Sequence, residues 1–261
     1  MQLKGVDVSR YQGDINWAAV AADGISFAMI KALQGANAID KMFSTNAEGA
    51  AAAGLPFGIY VYSKAKDVQG AEAEAQAALE LAADYRLQYP IAFDFEAKHF
   101  LLMESSLRGE IINAFCSAIK KAGYLPMLYS NKDWLLNVIP NECAKNWDVW
   151  LAQWRKTAPD YAGAYTMWQY GRGEVAGVSG KVDMDICFVD YPSVIDAARP
   201  VHFAVTTPRL RGDAALQMQK ALSAANYKDQ FGDPIIPDGI WGAKSQAALD
   251  KLVAAQQNGG T

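Results

Sequence analysis

From Gly5 to about Ala198, short runs rich in β-forming residues alternate with segments of helical character, and this alternation constrains the fold more than any other feature. Eight candidate strands fall at 5–9, 27–32, 57–62, 91–96, 126–129, 149–154, 165–170 and 182–188. Strands that alternate with helical segments point to a parallel sheet wrapped by helices. Eight of them predict a closed TIM-like (β/α) barrel of the α/β class, and barrels of this kind carry their chemistry at the C-terminal ends of the strands.

The intervening segments fit. Leu107, Ile111, Ile112, Phe115 and Ile119 recur at helical spacing, with Lys120 and Lys121 in the last turn and Gly123 as terminator, which predicts an outer helix. The Ala- and Glu-rich stretch 70–83 reads the same way, with Glu72, Glu74 and Glu80 expected to face water. The alternation stops at Pro200, and Thr206-Thr207-Pro208 completes a connector. Beyond it, 214–225 and 245–255 are helical pieces separated by the turn-dense Pro237-Asp238-Gly239-Ile240-Trp241-Gly242. The predicted organisation is a barrel over 1–198, a linker over 199–208 and a small all-α domain over 209–261.

A chain of 261 residues, 51% hydrophobic and 20% charged, has apolar material for one large core and one small one. Its net charge of −4 offers no basic field for a nucleic-acid partner. No run of eighteen apolar residues occurs, so no membrane insertion is expected. The segment following Met1 has no apolar h-region, so no signal peptide is expected. Cys116, Cys143 and Cys187 match neither a disulfide framework nor a CxxC metal site and suit a reducing cytoplasm.

The most informative run is Ile91-Ala92-Phe93-Asp94-Phe95-Glu96. Strand side chains alternate faces, so Asp94 and Glu96 point into the barrel while Phe93 and Phe95 point toward the covering helices. Enclosing two like charges together raises the pKa of one, and a raised carboxyl suits a general acid for glycoside hydrolysis. The same residues could instead form a polar strand end bonded to neighbouring Lys, Arg or backbone groups. Asp7 in the first strand and Asp183 and Asp185 in the eighth weigh against that plainer reading, because first and last strands are neighbours in a closed barrel and bring their acids to the same mouth. Tyr60, Tyr62, Tyr129, Trp150, Trp154, Trp168 and Tyr170 end other strands. Aromatic faces stack on sugar rings, and Gln153 and Gln169 could meet their hydroxyls.

Competing motifs are weak. Gly171-Arg172-Gly173-Glu174-Val175-Ala176 fits a loose dinucleotide fingerprint, but Gly177-Val178-Ser179-Gly180 follows it instead of a helix, so a flexible loop is expected. His99 and His202 are the only histidines, and no HExxH zinc site, GxSxG or Walker sequence occurs, so neither metal nor cofactor is expected. His99 is expected on an exposed loop just past Glu96.

Taken together, these pieces resemble glycoside hydrolase family 25, the barrel lysozymes that cleave the β-1,4 bond after N-acetylmuramic acid. The resemblance is carried by Asp7-Val8-Ser9-Arg10-Tyr11-Gln12-Gly13 with Ile15-Asn16-Trp17, Gly58-Ile59-Tyr60-Val61-Tyr62, Asp94-Phe95-Glu96, Trp150-Leu151-Ala152-Gln153-Trp154, Trp168-Gln169-Tyr170 and Val182-Asp183-Met184-Asp185. It implies Glu96 as general acid, Asp94 as its partner, and Asp7 and Asp183 as the remaining cleft acids. Tyr60, Tyr62, Tyr129, Trp154, Gln169 and Asp185 are the candidate substrate contacts. Val61 and Gln34 stand where the family often has His and Glu, which puts subsite contacts at issue.

The stretch 210–255 is similar to helical peptidoglycan-binding domains appended to wall hydrolases. A lysozyme with such an anchor and no signal peptide resembles a phage endolysin, held in the host cytoplasm until a holin-type protein releases it onto bacterial peptidoglycan. The alternatives are a chitinase- or glucosaminidase-like hydrolase and a wall-binding protein without turnover.

Overall fold

The computed structural model describes residues 2–198 and 209–258, in two compact units divided at Ala198. The expected connector 199–208, with His202, lies outside the described residues. No helix among the described residues is long and apolar enough to cross a membrane.

The first unit contains strands β1 (Leu3–Val8), β2 (Phe27–Gln34), β3 (Ala38–Ile39), β4 (Phe57–Tyr62), β5 (Ile91–Asp94), β6 (Pro126–Asn131), β7 (Asp148–Ala152), β8 (Met167–Glu174) and β9 (Lys181–Cys187). Its helices are α1 (Trp17–Ala22), α2 (Phe43–Ala52), α3 (Val68–Ala82), α4 (Ser105–Lys121), α5 (Lys132–Asn137), α6 (Asn141–Asn146) and α7 (Tyr191–Ala198). β3 is a short antiparallel flap on β2. The other eight close into a barrel, because β1 pairs with β2 on one side and with β9 on the other.

One strand departs from the expected all-parallel arrangement. β9 runs antiparallel to both β8 and β1. Only residues 175–180 separate β8 from β9, and a parallel crossover needs a dozen or more. The chain therefore turns back as a hairpin, and β9 starts, instead of ending, at the rim where the other strands end. The glycine run expected as a flexible loop is the ascending arm of this hairpin: Gly171, Arg172 and Gly173 pair with Met184, Asp183 and Val182. The segment between β7 and β8 also lacks a helix.

Strand alternation sorts the barrel residues into two cores. Val6, Ile30, Ile59, Val61, Phe93, Leu128 and Leu151 face outward into the layer shared with the helices. There α4 (Ser105–Lys121) presents Ile111, Ile112, Phe115 and Ile119, and Phe115 stacks on Phe93 at 4.3 Å. Phe27, Met29, Tyr60, Ala92, Met127, Trp150 and Met167 face inward and fill the barrel's interior. Its lower end is plugged by Phe27 stacked at 4.5 Å on Tyr89. Gly5 makes this possible, since a Cβ there would sit 2.2 Å from the Phe27 ring.

α3 (Val68–Ala82) buries Ala71, Glu74, Ala75, Ala78 and Ala82. Glu72 and Glu80 are exposed as expected, but Glu74 is not: it is only 2% exposed and accepts bonds from Ser63 Oγ and Lys64 N, both at 2.7 Å. It braces the turn that leaves β4, and the two donors compensate for its burial.

The second unit packs α8 (Asp213–Ala224) and α9 (Ala243–Asn258) around a fully enclosed Trp241, with Ala215, Leu222, Ile235 and Ala248. Buried Gln219 staples the intervening turn. Its amide donates to Asp238 Oδ1, Ile240 O and Ser245 Oγ, and its carbonyl accepts from Asp238 N and Gly239 N.

Candidate active site

A cleft of about 460 Å³ opens at the C-terminal ends of the parallel strands. Four acids line it, Asp7, Asp94, Glu96 and Asp183, with the rings of Tyr11, Tyr60, Tyr62, Tyr129 and Trp150. Lys31, Lys64 and Arg172 add three cations, and Ser9, Gln12, Gln34 and Gln169 complete the wall.

The local backbone explains each placement. The β5 ladder stops at Asp94, two residues before the expected end. Phe95 N still bonds Tyr129 O, and Phe95 O accepts from Ser130 Oγ, so the alternation persists and Glu96 follows Asp94 onto the inner face. Phe95 is buried against Phe100 and Trp134 on the other side. In β2 the register shifts between Lys31 and Leu33, a bulge that points both Lys31 and Gln34 into the cleft. Asp183 pairs directly with Asp7 in the antiparallel register.

Desolvation dominates the electrostatics. Burial, then the neighbouring Glu96, push the Asp94 carboxyl well above its ordinary range against the opposing pull of Lys31. Its Oδ1 is sealed from solvent and receives no donor. Glu96 is half-buried; burial raises it too, and Lys31 opposes. Asp7 is raised by burial and by Asp183 to about 7, in spite of hydrogen bonds from Gln169 and Asp185 and the charge of Arg172. Asp183 is paired with Arg172 at 2.7 Å. The Lys31 ammonium lies 4.8 Å from the centroid of Tyr62, as does that of Lys64 on the same ring. Two acids that share low-dielectric space do not both ionise readily, so the arrangement can hold a transferable proton beside a carboxylate.

Of the residues expected in the site, the four acids and Tyr60, Tyr62, Tyr129 and Gln169 converge on this cleft. Trp154 does not line it. It is 56% exposed on a neighbouring groove, joined to the cleft through Nε1, which donates to Gln169 Oε1 at 3.1 Å. Asp185 lies beneath the cleft floor, fully enclosed, and is not among the residues that line the cleft. Gln153 is turned away onto Asp160. Val61 faces the outer helices, so the departure from the family pattern there does not reach the cleft, whereas Gln34 does. His99 is half-buried, not exposed: it bonds Ala65 O and packs on Phe100 at 4.1 Å.

Sequence reasoning missed the three cations. Lys31 carried a usable signal, because it shares its parity with the inward Phe27 and Met29 in an otherwise apolar strand. Lys64 and Arg172 carried none, lying past a strand end and in a hairpin of then unknown course. Among the described residues, no group of three or more His, Cys, Asp or Glu is arranged to hold a metal ion.

Comparison with known proteins supplies the family. Residues 6–178 match the profile of glycosyl hydrolases family 25. The chain belongs to glycosyl hydrolase family 25. Lysozyme M1 of Streptomyces globisporus is 33% identical over 201 residues, covering 69% of this chain and 66% of that protein. An autolytic lysozyme of Clostridium acetobutylicum is 27% identical over 191 residues, covering 70% of this chain and 55% of that protein. The chain thus spans just under two thirds and just over half of these curated relatives. A bacterial lysozyme from Streptomyces coelicolor superposes with a TM-score of 0.62 at 28% identity, covering 75% of this chain and 96% of that one. The family 25 match ends before β9, so Asp183 and Asp185 join the site through the hairpin and lie outside the matched residues.

Proposed function

We propose that the barrel is a lysozyme, a 1,4-β-N-acetylmuramidase that hydrolyses the MurNAc–GlcNAc bond of bacterial peptidoglycan. The observation that carries this reading is the placement of Asp94 and Glu96 side by side in the cleft, both raised by burial and both facing Lys31. Glu96, the more exposed of the two, delivers a proton to the glycosidic oxygen. The pair shares one proton, which burial favours on Asp94 in the free cleft; once it has passed to Glu96, Asp94 faces the positive charge that develops at the sugar, directly or by orienting the substrate's acetamido group. Asp7 and Asp183 tune and position the pair. Tyr60, Tyr62, Tyr129 and Gln169 supply stacking faces and hydrogen bonds to the sugar. Family membership and the lysozyme names of the relatives support the choice of substrate.

The test is digestion of defined peptidoglycan with mass spectrometry of the reduced products. New muramic reducing ends are expected; glucosamine ends would mean a glucosaminidase, and no products a binding protein. Glu96→Gln should abolish lysis and leave wall binding intact. Asp94→Asn should cost roughly a hundredfold.

The second unit is proposed to be the wall anchor, since tethering raises the effective concentration of a hydrolase at an insoluble polymer. The pairing of hydrolase and anchor suits a phage endolysin that waits in the host cytoplasm for a holin-type protein. Expression in a host cell with and without an inducible holin tests it: lysis should follow holin induction and not precede it.

A further inference from the structure

Beneath the cleft floor, Asp185 Oδ1 accepts the Trp150 indole N–H at 2.8 Å. Its Oδ2 is sealed from solvent and receives no N–H or O–H. Besides Trp150, the Asp7 carboxyl above it lies in hydrogen-bonding contact with this carboxyl. Asp7 in turn accepts from Gln169 Nε2 at 2.8 Å, while Gln169 Oε1 receives Tyr129 Oη at 3.3 Å and Trp154 Nε1 at 3.1 Å. Every donor in this chain is thereby oriented except one. Two ionised carboxylates cannot bond each other, and an enclosed oxygen without a donor is costly. A proton on Asp185 Oδ2, donated to Asp7, satisfies both atoms at once.

We propose that Asp185 is a permanently protonated positioning residue, which donates a hydrogen bond to Asp7 and holds that acid as a fixed acceptor at the base of the cleft. The groups facing the pair agree with this assignment. Asp183 from β9 and Asp94 from β5 are acids, Tyr60 from β4 and Trp150 from β7 are neutral, Gln169 from β8 donates to Asp7, and Arg172 from β8 is spent on Asp183. Among the described residues no cation pairs with Asp185, and burial together with Asp7 favours the neutral form of its carboxyl. The indole of Trp150 and the amide of Gln169 fix which oxygen bears the proton. The role resembles that of an asparagine, with one atom that accepts from indole and one that donates to Asp7.

This gives a direct test in the full chain. Carboxyl ¹³C NMR of the wild type should show Asp185 neutral throughout the range in which the fold is stable, and infrared difference spectra should contain the C=O stretch of a neutral acid. Asp185→Asn should remove that band, leave the Asp7 titration in place and keep kcat within about threefold. Asp185→Leu, which cannot donate, should shift the Asp7 titration upward by about one unit or more, because a donor to the charged form has been lost. An ionised Asp185 at neutral pH would overturn the proposal. So would an Asp7 titration that moves equally in the Asn and Leu variants. The NMR and infrared arms stand on their own; only the kcat arm rests on the muramidase reading, and a wild type without that activity would fail there while the spectra still decide.

Discussion

Replacing Asp7 with Asn should stabilise the barrel at alkaline pH much more than at acidic pH. The Asp7 carboxyl is enclosed, faces Asp183, and titrates at about 7 instead of its ordinary 3.8. The folded state therefore binds this proton more tightly than the unfolded chain. Below 3.8 the group is protonated in both states and contributes no pH dependence. Stability then falls as pH rises through the window from 3.8 to about 7, and levels off above it. At 1.36 kcal/mol per unit, a shift of this size is on the order of 4 kcal/mol across the whole window. Part of the loss has already occurred by pH 4.5, so between pH 4.5 and 8.5 the gap between Asp7→Asn and wild type should widen by about 3 kcal/mol. Asn keeps an oxygen to accept from Gln169 Nε2, so that hydrogen bond is retained while the charge is removed. Urea unfolding at the two pH values, followed by tryptophan fluorescence, measures the gap. A gap equal at both values would refute the reasoning, because it would mean that Asp7 ionises in the folded barrel as freely as in water.

Three further outcomes follow from other parts of the molecule. Lys31→Met removes the cation that opposes the upward shifts of Asp94 and Glu96, so the pair should keep its proton to higher pH; the alkaline limb of kcat/KM on soluble glycan fragments should move upward. Gly5→Ala forces a methyl to within 2.2 Å of the Phe27 ring, which is trapped against Tyr89, and should cost about 1–3 kcal/mol in urea unfolding, recovered in part by Phe27→Leu. Trp241→Ala empties the centre of the small second unit at a cost of about 3–5 kcal/mol, comparable to the whole stability of so small a core. Wall pull-down should be lost while turnover of soluble oligosaccharide persists.

The features legible in the sequence were those that depend on parity. Alternation placed Asp94 and Glu96 on one face and Phe93 and Phe95 on the other, and it held even where the β5 ladder had ended, because Phe95 keeps its backbone bonds to β6. The misreading of Glu74 was an error of chemistry, not of period. Glu74 lies three residues after Ala71 and four before Ala78, on the buried stripe of α3, and its charge alone suggested water. The donors that satisfy it, Ser63 and Lys64, come from another element and could not be seen from the helix.

Asp183 and Asp185 show what parity leaves out. Both share the inward face of β9, so alternation treats them alike, yet one stands at the rim beside Arg172 and the other is sealed below Asp7. Depth along the barrel axis separates them, and depth depends on strand direction. Had β9 run parallel to β1, its later residue, Asp185, would have stood nearer the rim and Asp183 beneath it. The short hairpin reverses that order: Asp183 faces Asp7 across the pair, and Asp185 sits level with Gly5. The sequence left 171–181 between these strands, at the edge of a crossover's minimum; only the extension of β8 to Glu174 shortens the gap to 175–180 and forces the reversal. Gly5 pairs with Asp185 on one side and with Phe27 on the other, and its missing side chain is the space that the Phe27 ring fills, so the enclosed acid and the plug share one level of the barrel.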